Sequence, residues 1–263
     1  MVKNRLIPVL LLKDGYLVRS ESFSIHQILG NPIHEVERFN HWNVDELIYL
    51  DISDDEVYFE QRNDTRVKST NDILSILEEV SKTCFMPLTV GGKIKTIQDI
   101  RERLKRGADK VAINTAAFEN PSLITEAAEM FGSQCLVISV DVRKKDNGTY
   151  EVFYDHGRKG TGLTPIECVK ELERLGAGEI LLHSIDRDGT ADGYDIELIQ
   201  SVANSTSLPV ICCGGAGKLA DFPKGILQGH ASAVAAANIF HFMELSDRQI
   251  KKTMKRAGVN VRL

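Results

Sequence analysis

The sequence predicts a (β/α)8 TIM barrel with an internal half-barrel duplication, and three observations lead to it. Eight short, nearly continuous apolar runs alternate with amphipathic stretches along 263 residues. That length suits one such barrel, which typically takes about 250 residues. The runs are apolar at successive positions, as parallel strands covered on both faces must be. Finally, blocks half a chain apart repeat one another. DELIYLDIS at 45–53 echoes GEILLHSID at 178–186, and MPLTVGG at 86–92 echoes LPVICCGG at 208–215, with offsets of 133 and 122 residues. Two halves, about 1–131 and 132–263, would then form a single domain with pseudo-twofold symmetry. A doubly wound open sheet is the alternative topology.

Taken in order, strands are expected at 5–12, 46–52, 86–91, 109–114, 135–142, 179–186, 208–213 and 232–237, each an apolar run of strand length. Helical periodicity is clearest at 70–83, 96–107, 121–131, 163–175, 194–204 and 245–257. Asn120-Pro121 and Thr164-Pro165 are helix-start signals, since proline at the first helical position loses no needed N–H. Residues 16–32 and 53–69 read as long loops after the first and second strands. Loops of that length in a compact domain are usually functional, and both would lie on the face where barrels keep their chemistry.

The composition is 43% hydrophobic and 26% charged with a net charge of −5, which argues against nucleic acid or a membrane surface as the main partner. No apolar run reaches the ~18 residues of a membrane span, and the first residues lack a secretory leader pattern. Five cysteines without a C-x-x-C pair suggest neither a disulfide framework nor a zinc knuckle. A cytoplasmic protein without metal or cofactor is the expectation.

Three groups of residues carry candidate chemistry. Gly91-Gly92 after the third strand and Gly214-Gly215-Ala216-Gly217 after the seventh either turn corners or let backbone N–H groups approach an anion. Asn114-Thr115, Asp188-Gly189-Thr190 and Ala237-Asn238 complete the pattern in both halves, which favours two phosphate sites on an elongated substrate. Arg5, Glu46, Lys110 and Glu179 each precede an apolar run. They are either solvated strand ends or, if they point inward, a charge-balanced ring closing the barrel bottom. Asp141 sits inside the fifth strand as a candidate general acid or base, while its half-barrel counterpart is Leu11. His183 is a second candidate for proton transfer. No Ser-His-Asp or metal-ligand spacing stands out, so nucleophilic and metal mechanisms are not expected. Cys135, Cys212 and Cys213 lie in apolar runs and read as inert core thiols.

Over essentially its whole length the chain resembles the cyclase subunit of imidazole glycerol phosphate synthase. The resemblance rests on VGG at 90–92, GADKV at 107–111, INTAA at 113–117, SIDRDGT at 184–190, GGAGK at 214–218 and GVNVRL at 258–263. It implies a partner glutaminase docked at the barrel bottom, whose ammonia rises through the core to a bisphosphate. It also implies roles. Arg5, Glu46, Lys110 and Glu179 take the ammonia-gate positions, and Asp109 faces the glutaminase. Gly92, Asn114, Thr115, Asp188, Gly189, Gly215, Ala237 and Asn238 take the phosphate-binding positions. Asp141 takes one of two catalytic aspartate positions.

The departures from the family pattern are specific. Leu11 stands where the second catalytic aspartate belongs, and a leucine transfers no proton. Arg19 stands for a loop lysine, Lys93 for a third glycine, His183 for a threonine, Cys213 for a serine and Asn238 for a small hydroxyl residue; the 53–69 loop is longer than the family's. RLIPVLLLKDG at 5–15 resembles a paralogous branch linked to acetamidino sugars of surface polysaccharide. That resemblance implies delivery of glutamine-derived ammonia for amidine formation, with a separate sugar-activating amidotransferase. A histidine-pathway cyclase using another acid such as Asp14 or Asp51, a scaffold that only activates the glutaminase, and a sugar-phosphate isomerase are the competing expectations.

Overall fold

The computed structural model describes residues 3–42, 44–54, 72–242 and 246–263. In chain order the first half holds β1 (Arg5–Lys13), β2 (Tyr16–Glu21), β3 (Ile25–Gly30), α1 (Pro32–His41), β4 (Leu47–Asp51), α2 (Ile73–Thr83), β5 (Leu88–Gly91), α3 (Ile97–Lys105), β6 (Lys110–Ile113), α4 (Thr115–Glu119) and α5 (Ser122–Phe131). The remainder holds β7 (Leu136–Lys144), β8 (Tyr150–Tyr154), β9 (Lys159–Gly160), α6 (Pro165–Leu175), β10 (Glu179–Ser184), α7 (Ile196–Ala203), β11 (Val210–Cys213), α8 (Asp221–Leu227), β12 (Ala233–Ala236), α9 (Ile239–Phe242) and α10 (Ser246–Arg256).

Eight strands pair in parallel in the order β10-β11-β12-β1-β4-β5-β6-β7, and β7 pairs with β10 to close the cylinder. Closure leaves the barrel strands no free edge. The two-residue period of a strand then sorts side chains onto two faces. On β1, Leu6, Leu10 and Leu12 face the surrounding helices, whereas Ile7, Val9 and Leu11 face the lumen. Ile48, Ala112, Val137, Leu181, Ile211, Ala233 and Ala235 fill the lumen from the other strands. Helix ends follow local chemistry: Thr164 caps α6 and Thr96 caps α3, each through a reciprocal capping box with Glu167 and Asp99. Pro121 is itself the cap of α5, one position earlier than expected.

The segment 16–32, expected to be a loop, is largely an antiparallel hairpin of β2 and β3 leading into α1. The reason is chemical: Asp14 and Gly15 have φ of 52° and 80°, the backbone of a tight hairpin turn, and Leu17 and Val18 are buried. An extension of β1 therefore pairs with β2, Leu11 opposite Val18. The same device recurs half a chain later, where β7 runs beyond the barrel and pairs with β8. β1 and β7 are each 9 residues long, against four to six for the other barrel strands. Of the 53–69 loop, residues 55–69 lie outside the described residues.

Candidate active site and charged ring

At the N-terminal end of the lumen, the four charges predicted from strand starts converge. Arg5 donates to Glu46 at 2.7 Å and also pairs with Glu179; Lys110 reaches Glu46 at 3.1 Å and Glu179 at 3.0 Å. Each carboxylate thus touches both cations, and the ring is neutral. Burial pulls the Arg5 pKa down, but Glu179 and Glu46 outweigh it and hold the guanidinium firmly charged. The geometry follows from strand parity, because Arg5 lies on the face of β1 that carries Ile7, Val9 and Leu11. Beside the ring Asp109 is exposed, its carboxylate accepting from the Leu88 N–H at 2.8 Å.

At the opposite end, Asp141, His183 and Cys213 occupy neighbouring register positions on β7, β10 and β11. Asp141 accepts from Ser139 Oγ at 3.1 Å and Asn114 Nδ2 at 3.2 Å. Burial pushes its carboxyl up to about 6, with the negative Asp188 adding to this and His183 and Ser139 opposing it. His183 Nε2 lies 3.4 Å from Asp188 Oδ1, while Asp188 Oδ2 accepts from Ser20 Oγ at 3.0 Å and the Phe23 N–H at 3.3 Å. Burial works to lower the imidazole pKa, but Cys213 and Asp188 outweigh it and raise it well above the ordinary value. Burial works to raise Asp188, but its contacts with His183, Ser20 and Phe23 outweigh that and hold it below the usual carboxylate range.

A cavity of about 310 Å³ opens over His183, Asp188 and Cys213, lined as well by Leu11, Arg19, Gly189 and residues 214–217 and 236–239 among others. Glycine is required at two of its corners. A Cβ at Gly215 (φ +97°) would lie 2.3 Å from the Gly193 carbonyl, and one at Gly189 (φ +73°) 2.7 Å from the Ser20 carbonyl. Asn238 donates to the Ser20 carbonyl at 2.9 Å, and its Oδ1 is buried without a hydrogen-bond partner. Ala237 lines the same wall.

The expected first-half cradle is built differently. Gly92 has φ +98°, and the next residue, Lys93, holds φ 56° where a glycine would be unstrained. Lys93 Nζ lies 3.3 Å from Asp51 Oδ2, and Asp51 Oδ1 accepts from Ser53 N–H and Oγ at 2.9 and 2.6 Å. Asn114 turns inward to Asp141 and the Ser139 carbonyl, leaving Thr115 at the start of α4.

Sequence reasoning passed over Ser20 and Ser139 as site residues and named Asp51 only as an alternative acid. Ser139 carried a readable signal, two residues before Asp141 and hence on the same strand face. The thiols also differ from expectation. Cys135 is only partly buried, at the end of a short 3₁₀ turn, because it precedes β7 rather than lying in it. Cys212 is buried behind the barrel wall, whereas Cys213 faces the lumen and the cavity. Among the described residues, no group of three or more His, Cys, Asp or Glu is placed to hold a metal ion. No helix there is long and apolar enough to cross a membrane.

Comparison with known proteins agrees with this architecture. The chain is 41% identical over 263 residues, spanning 100% of both chains, to imidazole glycerol phosphate synthase subunit HisF of Natranaerobius thermophilus. The family model described as histidine biosynthesis protein matches residues 5–246. With a closed eight-stranded parallel barrel and a match over nearly all its length, the chain belongs to the histidine biosynthesis protein family.

Proposed function

We propose that this chain is the ammonia-accepting, synthase-type subunit of a glutamine amidotransferase complex, a single barrel domain of two halves. The observation that carries the reading is the neutral ring of Arg5, Glu46, Lys110 and Glu179 beneath a lumen lined by Ile, Val, Leu and Ala. An apolar lumen suits neutral ammonia and excludes ammonium, because burying an unpaired charge costs several kcal/mol. The ring acts as the gate, and a glutaminase docks on the N-terminal face with Asp109 at the contact. At the far end Asp141 and His183 transfer protons. Gly92, Asn114 and Thr115 serve one phosphate of the substrate, and Asp188, Gly189, Gly215, Ala237 and Asn238 serve another.

The acceptor, in this reading, is a surface-polysaccharide sugar whose acetamido group becomes an acetamidino group, with a separate amidotransferase activating it. Position 11 supports that diversion. Closing an imidazole ring and cleaving the substrate call for acid–base work at two places, and Leu11 puts an alkyl chain at one of them. Loss of one member of such a pair commonly costs a factor of roughly 10²–10⁴. A second reading, the cyclase of histidine biosynthesis, is favoured by the full-length identity to a protein bearing that name. The test is turnover of the histidine-pathway bisphosphate with excess ammonium salt, in wild type and Leu11→Asp. Silence in wild type with activity gained in the variant is expected. Robust wild-type turnover, little altered by Leu11→Asp, would establish the cyclase instead.

A further inference from the structure

We propose that Cys213 is a nucleophile, served by His183 and oriented through Asp188, that forms a covalent bond to the acceptor carbon before ammonia reaches it. This rests on the ammonia-delivery reading above. The parts of a nucleophilic site are all present. Cys213 and His183 are register partners on adjacent parallel strands, both on the lumen face, and both line the cavity. The imidazole is oriented by Asp188 at 3.4 Å, itself fixed by Ser20 and the Phe23 N–H. The Phe23 ring packs edge-on against His183 at 4.8 Å and limits its rotation. A nucleophile, a base and a group that orients the base are the general pattern of covalent catalysis.

Directly after Cys213 come Gly214 and Gly215, both at φ +97°, so the chain turns along the cavity wall beside the thiol. Successive N–H groups in such a turn form an anion-binding concavity. Asn238 Oδ1, buried and unpartnered, borders the same cavity and supplies an acceptor for a ligand N–H or O–H. The other thiols lack this setting. Burial pushes Cys168 up to about 12, Cys212 higher still, and Cys84 above its usual value.

The step balances for an O-activated imidate, an amide whose oxygen has been made a leaving group by phosphoryl or adenylyl transfer. The Cys213 thiolate attacks the imidoyl carbon, the C–O bond breaks, and the phosphate-type leaving group departs with its electron pair, giving a thioimidate. Neutral ammonia then attacks the same carbon, the C–S bond breaks, the thiolate returns, and one ammonia proton passes to Asp141. The product is an amidine.

The test is alkylation of the isolated chain by iodoacetamide, with each cysteine followed by peptide mass spectrometry as pH is varied. The titratable groups around Cys213 are His183 on the next strand, Asp188 behind that imidazole, Asp141 one strand beyond His183, Arg19 at the cavity mouth, the adjacent Cys212 thiol and the buried Tyr194 phenol. An ordinary thiol, with pKa about 8.5, reacts roughly a hundredfold slower at pH 6.5 than at its plateau. Cys213 is expected to react first of the five and to lose less than about tenfold over that interval. His183→Gln restores the hundredfold fall, and so does Asp188→Asn in part. A Cys213 that reacts no faster than Cys84, or that keeps the ordinary profile in wild type, overturns the proposal. Matching circular-dichroism melts of Cys213→Ser and His183→Gln show that the fold persists. Neither ammonia nor a glutaminase enters this assay, so its outcome is independent of the turnover test above.

Discussion

Asp141→Asn should make the protein more stable at neutral pH and catalytically inert, and the size of the first effect follows from the site. The Asp141 carboxyl is raised from 3.8 to about 6, chiefly by burial. Between those values the native state binds a proton that the unfolded chain has already released. Stability changes with pH as the protons bound by the unfolded state minus those bound by the native one. The difference is negative here, so stability falls as pH rises from about 4 to about 6 and stays lowered above. Each pH unit across that interval is worth about 1.4 kcal/mol, so the cost at neutral pH is about 3 kcal/mol. Asparagine matches the protonated acid in shape and charge, and its side chain still has Ser139 and Asn114 to bond. Urea unfolding of both proteins at about pH 4 should therefore give nearly equal stabilities, and at about pH 8 the variant should lead by about 2–3 kcal/mol. Turnover with ammonium as donor should fall at least about a hundredfold in the variant. A stability difference that does not change with pH, or a wild type more stable than the variant at pH 8, would refute the argument that burial governs this carboxyl.

Three further perturbations test other parts of the molecule. Lys110→Met leaves Glu46 and Glu179 to share Arg5 alone, and those carboxylates are only 10% and 7% exposed. Breaking a fully buried pair costs about 3–5 kcal/mol; with the lysine one-fifth exposed we expect about 2, read as a lower urea midpoint, and a shift under ~0.5 would mean that solvent already screens the ring. Gly92→Ala places a Cβ 2.2 Å from the Asp51 carbonyl at φ +98° and should cost more than about 2 kcal/mol, lowering the melting temperature; an unchanged melt would contradict the turn geometry. Thr164→Ala removes one side of the α6 capping box and should cost about 1 kcal/mol in urea unfolding while leaving turnover untouched.

The barrel strands were legible because a strand covered on both faces must be apolar at every position, and nothing else in this chain imitates that pattern over so short a run. The charged ring was half legible. Its residue types stood at the strand starts, but only parity decides whether they turn inward, and Arg5 shares the lumen face with Ile7, Val9 and Leu11. The β2–β3 hairpin was written in Asp14-Gly15, yet it escaped because β1 had to be continued beyond the barrel wall before it could pair with β2. Cys213 and His183 lie 30 positions apart, and only the register of β10 against β11 makes them neighbours. Lys93 and Asp51 meet through a turn whose strained backbone no spacing rule encodes.

The twofold pattern in the backbone is kept more faithfully than the one in the chemistry. β1 and β7 match in length and each feeds an antiparallel hairpin. Arg5, Glu46 and Lys110, three of the four ring residues, come from the first half, and only Glu179 comes from the second. Asp141, His183, Asp188 and Cys213 all come from the second, the last three lining one cavity with Leu11 and Arg19 from the first. The lumen layers depend on volume and apolarity, so a position on β1 can hold an apolar side chain while its counterpart on β7 holds a carboxylate. Leu11 fills its share of the lumen at 6% exposure, so a leucine is well packed at that position. In the redirection we propose, the change at Leu11 would bear on proton transfer and leave the packing of the lumen intact.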